Sequence, residues 1–258
     1  MASSKPVILL IPGAWHCPAS YQGLVGLLQS SGHEVHVHDL PSMNGSRPPT
    51  ADLETDTAEF REHTKRLAEA GRSVVVIVHS YSGQVASNAL HGLGFDQLAG
   101  KGGVVRIISL CAFTVREGVS MIDVVERFGH GNLMPLAFDF ADDKTVLSQS
   151  PKALLVTPAP NIDDAEVEKH ISSFSRWNGN CMYQPLTTTR VAWRDIPVTY
   201  VYATGDMTVP FEYQRWMVET MRGEGAEVET FELESGHSPA FTNTREVVEI
   251  INTVMARY

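Results

Sequence analysis

Ser80, Asp206 and His237 are the residues whose types and surroundings could do chemistry together in this chain. Ser80 follows five consecutive β-branched residues, Val74 to Val78, and precedes a helix-compatible run from Gln84 to Leu90. A buried strand, a turn with no spare residues and a helix hold a serine at the apex, away from both elements. Its Oγ is exposed there, and the N–H groups of the starting helix point at whatever it attacks. Attack on an acyl carbon needs a base for the Oγ proton and a carboxylate to hold that base in the right tautomer. Asp206 lies in Thr204-Gly205-Asp206-Met207-Thr208-Val209-Pro210, at the end of the strand Val198 to Ala203. His237 lies in Gly236-His237-Ser238-Pro239, after the alternating strand Glu227 to Leu233. Taken singly, the three read as a helix N-cap, a turn former and a structural or surface histidine. Three suitable types, each just after a strand, favour the chemical reading.

The elements that must position them alternate between strand and helix, which predicts a parallel sheet covered on both faces. Val7 to Ile11 and Glu34 to His38 read as strands, as does Gly103 to Leu110. Ser20 to Ser30 carries Leu24, Leu27 and Leu28 at helical spacing, and Thr50 to Ala70 reads as a polar-faced helix closed by Gly71. The last helix shows Val247, Ile250, Ile251, Val254 and Met255 as a core stripe. Residues 114–190 break the alternation. Met121, Val124, Val125 and Phe128 form one amphipathic stripe there, Val167, Ile171 and Phe174 another, with prolines between.

Val78-His79-Ser80-Tyr81-Ser82, followed by Gly83, resembles the nucleophile elbow of the α/β-hydrolases, Gly-x-Ser-x-Gly. Both flanking glycines are replaced. Ser82 is small enough to keep most of the clearance, whereas Val78 crowds a tight strand-to-helix crossing. The acid and histidine loops also resemble that superfamily, and follow in its order of serine, acid, histidine. Gly32-His33-Glu34-Val35 and Asp39-Leu40-Pro41 resemble its compact, cofactor-free branch of plant methylesterases, hydroxynitrile lyases and fungal hydrolases.

The resemblance implies an α/β-hydrolase fold of about six parallel strands flanked by helices. The core would be residues 1–113 and 191–258, with a mainly helical cap over residues 114–190. It implies an oxyanion hole in Pro12-Gly13-Ala14-Trp15, with Ala14 or Trp15 as one N–H donor and Tyr81 as the other. Glu117 is the rival acid, since some hydrolases place it after the fourth strand. His16 and His79 flank the site loops, touching substrate or supporting those that do. Phe174, Trp177, Met182 and Tyr183 would line the substrate pocket or form the cap's own core. No cofactor or metal is implied.

Composition narrows the partners. Lys and Arg total 20 against 30 Asp and Glu, a net charge of −10, which would repel nucleic-acid phosphates. Cys17, Cys111 and Cys181 are too few for a closed disulfide set and match no zinc spacing. His33, His36 and His38 have no carboxylate spaced to complete a metal site. The N-terminal apolar run is too short for a signal peptide, and no run approaches the ~20 residues of a membrane span. The expectation is a cytoplasmic protein with a small-molecule substrate, no nucleic-acid or membrane partner, and an open oligomeric state that includes a homodimer. Its expected activity is hydrolysis of an ester, thioester or lactone of a small, largely apolar molecule through an acyl-enzyme. Lyase or cyclase chemistry by the same three residues, and a cap-gated receptor, stay open.

Overall fold

The computed structural model describes residues 5–258. Among these residues nine strands run β1 Val7–Ile11, β2 Val35–Val37, β3 Ser73–His79, β4 Gly103–Leu110, β5 Phe138–Phe140, β6 Thr145–Ser148, β7 Trp177–Asn178, β8 Val198–Ala203 and β9 Val228–Leu233. The helices are α1 Gln22–Ser30, α2 Leu53–Glu69, α3 Ser82–Ala89, α4 Met121–Arg127, α5 Met134–Ala137, α6 Asp164–Ser172, α7 Phe211–Gly223, α8 Pro239–Thr242 and α9 Thr244–Met255. Six strands form one parallel sheet in the order β2-β1-β3-β4-β8-β9. This is an α/β-hydrolase fold.

Period-two alternation of the central strands fills both layers. Val7, Leu9, Ile11, Val74, Val76 and Val78 face one apolar cluster, and Ile8, Leu10, Val75 and Ile77 face the other. The second cluster is closed by α1 and α9 through Leu24, Leu28, Val247, Ile251 and Val254. Because all six strands are parallel, their C-terminal ends share one edge. The loops carrying Ala14, Ser80, Phe113 and Asp206 all leave from it.

Residues 114–190 contain α4, α5 and α6, and also a three-stranded antiparallel sheet, β5-β6-β7. This sheet was not expected from the sequence. Its longest strand, Thr145–Ser148, has four residues, too few for an alternating pattern to register. A partner distant in the sequence braces it instead: Trp15 Nε1, on the loop after β1, donates to the Val146 carbonyl at 3.0 Å.

Candidate active site

The site begins where β3 ends. Ser80 has φ of 56°, a left-handed conformation that costs a non-glycine residue roughly 1–3 kcal/mol. The backbone at and just after the end of β4 holds it there: Ser80 N donates to the Leu110 carbonyl at 3.3 Å, and Phe113 N to the Ser80 carbonyl at 3.0 Å. Ser82 fastens the turn from inside, its Oγ accepting from His79 N at 2.8 Å and lying 3.0 Å from the Ile11 carbonyl. Clearance falls to Gly83, whose added Cβ would meet the Phe113 carbonyl oxygen at 2.7 Å and Ala112 Cβ at 2.8 Å. Val78 is fully buried and packs in the apolar cluster that holds Val74 and Val76.

His237 Nε2 lies 2.8 Å from Ser80 Oγ, and its Nδ1 lies 2.7 Å from Asp206 Oδ2. All three side chains are buried. The other oxygen of Asp206 accepts from Thr208 N and Val209 N, both at 2.8 Å. With the carboxylate so fixed, Nδ1 carries the ring proton, and Nε2 is left to accept from Ser80 Oγ. The alternative acid, Glu117, is elsewhere. It bonds Arg194 at 2.8 and 3.0 Å and the Val191 N–H at 2.9 Å, and the guanidinium holds its carboxyl down to about 2.

A second chain of hydrogen bonds runs behind the first. Gly13 N donates to Tyr21 Oη at 2.9 Å, Tyr21 Oη lies 2.6 Å from His79 Nδ1, and His79 Nε2 donates to the His237 carbonyl at 2.6 Å. Tyr21 is therefore the donor to Nδ1, and His79 is a neutral ring with its proton on Nε2. Burial, reinforced by nearby His237 and His16, pushes the His79 pKa well below the ordinary histidine value. His16, lowered to about 3 mainly by burial, contacts the Ala14 carbonyl at 2.8 Å and Ser238 Oγ at 3.3 Å. Neither His16 nor His79 lines the cavity beside Ser80. Both brace the glycine loop against the histidine loop.

That glycine loop packs directly on the elbow. A Cβ on Gly13 would meet His79 Nδ1 at 2.7 Å and Ser80 Cβ at 3.1 Å. Trp15, with φ of 65°, turns the loop sharply. Among the described residues, the N–H groups of Ala14, Trp15 and Tyr81 have no protein acceptor, and Ala14 and Trp15 line the cavity. The Tyr81 ring faces away, donating to Asp56 Oδ2 at 2.7 Å. Asp56, also bound by Ser42 N at 2.8 Å and Ser42 Oγ at 2.5 Å, is raised to about 6 by burial against these donors.

The cavity holds about 240 Å³. Ser80, Trp15, Phe113 and Thr208 come to it from the sheet edge, while Met121, Val125, Met134, Phe138 and Met182 come from residues 114–190. Of the four insertion residues expected at the pocket, Met182 lines it. Trp177 is fully buried between Trp15 and Tyr81, donating to Ser42 Oγ at 3.1 Å. Phe174 packs on His16 and His170. Tyr183 is 50% exposed and stands on the outer surface. The sequence does not separate these four, because a large apolar or aromatic type marks a tendency to burial and not the side from which a residue is buried. Met134, Phe138, His130 and Tyr213, which also line the cavity, carried no signal. Met121 and Val125 were visible only as a helical stripe.

His79, Cys111 and His237 bring ligand-type atoms within 4.8 Å of one another, the one such group among the described residues. Both nitrogens of both rings are already engaged, so this cluster is the frame of the serine site. No described helix is long and apolar enough to cross a membrane.

Known proteins resemble this chain over nearly its whole length. The model of the alpha/beta hydrolase family matches residues 8–250. Alpha/beta hydrolase nvfD of Aspergillus novofumigatus is 31% identical over 254 residues, covering 96% of this chain and 95% of its own. Esterase PIR7B of Oryza sativa subsp. japonica is 24% identical, covering 100% of this chain and 98% of its own. A pyrethroid hydrolase from Sphingobium faniae JZ-2 superposes with a TM-score of 0.74 at 21% identity, covering 99% of this chain and 100% of that one. With a family match spanning nearly the whole length, a strained serine at the β3–α3 turn and a six-stranded parallel sheet beneath it, the chain belongs to the alpha/beta hydrolase family.

Proposed function

We propose that this protein is a serine hydrolase that cleaves a carboxylic ester, thioester or lactone of a small, largely apolar molecule. The observation that carries the reading is the Ser80–His237–Asp206 chain, with contacts of 2.8 and 2.7 Å, opening on an apolar cavity. Ser80 Oγ attacks the substrate carbonyl while His237 Nε2 takes its proton. The imidazolium so formed is stabilised by Asp206, whose own charge is fixed by two backbone N–H groups. The tetrahedral oxyanion accepts from Tyr81 N–H and from Ala14 or Trp15 N–H, each donor worth roughly 3–4 kcal/mol in the transition state. Collapse expels the alcohol or thiol, which takes the proton from His237. Water, deprotonated by the same nitrogen, then attacks the acyl-Ser80 ester and releases the acid.

Substrate chemistry follows from the walls. Apart from Ser80, the lining side chains are mostly aliphatic, thioether or aromatic, so apolar contact supplies most of the binding. The match to an enzyme called an esterase and to a pyrethroid hydrolase supports the same class. A fluorophosphonate probe should label Ser80 once, and rapid quench with a turned-over ester should trap an acyl group there. Labelling elsewhere, or full ester turnover by Ser80→Ala with no trapped adduct in the wild type, would refute the mechanism and point to acid–base lyase or cyclase chemistry instead.

A further inference from the structure

The cavity wall carries one more polar group that the hydrolytic machinery does not use. His130, between α4 and α5, and Tyr213, on α7, both line it, and His130 Nδ1 lies 2.6 Å from Tyr213 Oη. Their rings stack with centroids 5.6 Å apart, and Tyr213 stacks on Phe128 at 4.6 Å. Tyr213 is 2% exposed, and among the described residues its hydroxyl has no partner but this nitrogen. A buried phenol gives its proton to the one acceptor it has. The shared proton then sits on the Tyr213 side, and His130 carries its own on Nε2. Burial raises the Tyr213 phenol to about 12, which keeps that proton in place at neutral pH.

The remaining polar side chains of the wall are spoken for. Thr208 donates to the Leu154 carbonyl at 2.7 Å, Trp15 Nε1 to the Val146 carbonyl at 3.0 Å, and Ser80 to His237. His130, half-buried on the wall of a mostly apolar cavity, has no protein acceptor for its Nε2–H among the described residues. We propose that His130 is a substrate-specificity residue, donating from Nε2 to an acceptor oxygen (ketone, ether or hydroxyl) on the apolar body of the substrate, away from the carbonyl that Ser80 attacks. The inference rests on the hydrolase reading and narrows its substrate class: an oxygenated apolar ester is preferred over the plain hydrocarbon of the same length. Tyr213 acts through His130 as a positioning residue that fixes the tautomer.

The test is a ladder of p-nitrophenyl alkanoates in which a ketone is moved along the chain, each compared with its unsubstituted parent. Wild type should favour one position of the ketone by about tenfold in kcat/KM, the scale of one buried hydrogen bond. His130→Phe should bring that ratio to one. Tyr213→Phe, which leaves the His130 tautomer free, should lower it part of the way. Equal ratios along the whole ladder in the wild type, or an advantage that survives in His130→Phe, overturn the inference. Should no ester be turned over and no fluorophosphonate label reach Ser80, the hydrolase reading fails. The ladder is then read as calorimetric affinity for Ser80→Ala, where a tenfold keto preference lost in the Ser80→Ala, His130→Phe double variant still supports it and equal affinities still sink it.

Discussion

The sheet edge and the insertion above it meet at the cavity but are built on different forces. At the edge, each functional group is fixed by directed contacts. Asp206 has three hydrogen bonds, both nitrogens of His237 are engaged, and the Ser80 backbone is tied to Leu110 and Phe113. In the insertion, most of the groups that reach the cavity, among them Met121, Val125, Met134, Phe138 and Met182, pack without direction, while His130 is held by its contact with Tyr213. Directed contacts tolerate little displacement, as a proton transfer requires. Flexible thioethers and aliphatic chains can repack around a different ligand. We propose that reaction type rests with the first region and substrate choice mainly with the second.

The largest effect expected is at Ser80. Ser80→Ala should lower kcat for an ester by on the order of 10⁴ to 10⁶, while the melting temperature stays close to that of the wild type, because only one buried oxygen is removed. A comparable loss from a substitution confined to the insertion would dissolve the division of labour.

Trp177 tests the seam between the two regions. Its indole is sealed between Trp15 and Tyr81 and never reaches the cavity. Trp177→Ala should cost about 3–5 kcal/mol of stability, read by urea denaturation, and should leave the rank order of ester substrates as it was. A changed rank order with little loss of stability would move Trp177 to the pocket wall.

The same seam should be sensitive to pH through Asp56. Its folded pKa, raised from 3.8 to about 6, means that the folded protein holds a proton that the unfolded chain releases. The stability tied to that proton is fully present below the unfolded value and is lost as pH rises through the folded one. Relative to Asp56→Asn, the wild type should therefore lose up to about 3 kcal/mol between roughly pH 4 and pH 7. A difference that stays flat, or grows in the wild type's favour with rising pH, would show that the donors from Ser42 and Tyr81 outweigh burial.

Met182 gives the smallest expected effect and the sharpest contrast with its near neighbour Trp177. Met182→Ala enlarges the cavity, and it should shift the kcat/KM ratio between long and short acyl esters by about 1–3 kcal/mol in favour of the long one. An unchanged ratio would place Met182 in the packing of the insertion alone.

The strand–helix alternation, the three chemical residues and the glycine loop were all legible in the chain because each depends on local chemistry. A β-branched run forms a buried strand wherever it is covered, a serine in a spacer-free turn is held at its apex, and Pro12-Gly13 breaks the first strand at its end. The hydrogen-bonded frame was less legible. His79 and His16 stood out only as neighbours of the loops, and their bracing depends on Tyr21, 58 residues from His79. Phe174, Trp177, Met182 and Tyr183 lie within ten consecutive residues, and the fold sent them to four different surroundings.

The sequence by itself determined the sheet, the order of the serine, acid and histidine along it, and hence one edge on which they meet. Strand ends in a parallel sheet share a side whatever lies between them. Only the tertiary structure decided that Asp206 and not Glu117 holds His237, since Arg194 captures Glu117 from 77 residues away. It alone decided which side chains of the insertion face Ser80 and that His130 and Tyr213 meet on the same wall. Those choices rest on non-directional packing and on contacts between distant segments, for which a linear pattern has no period.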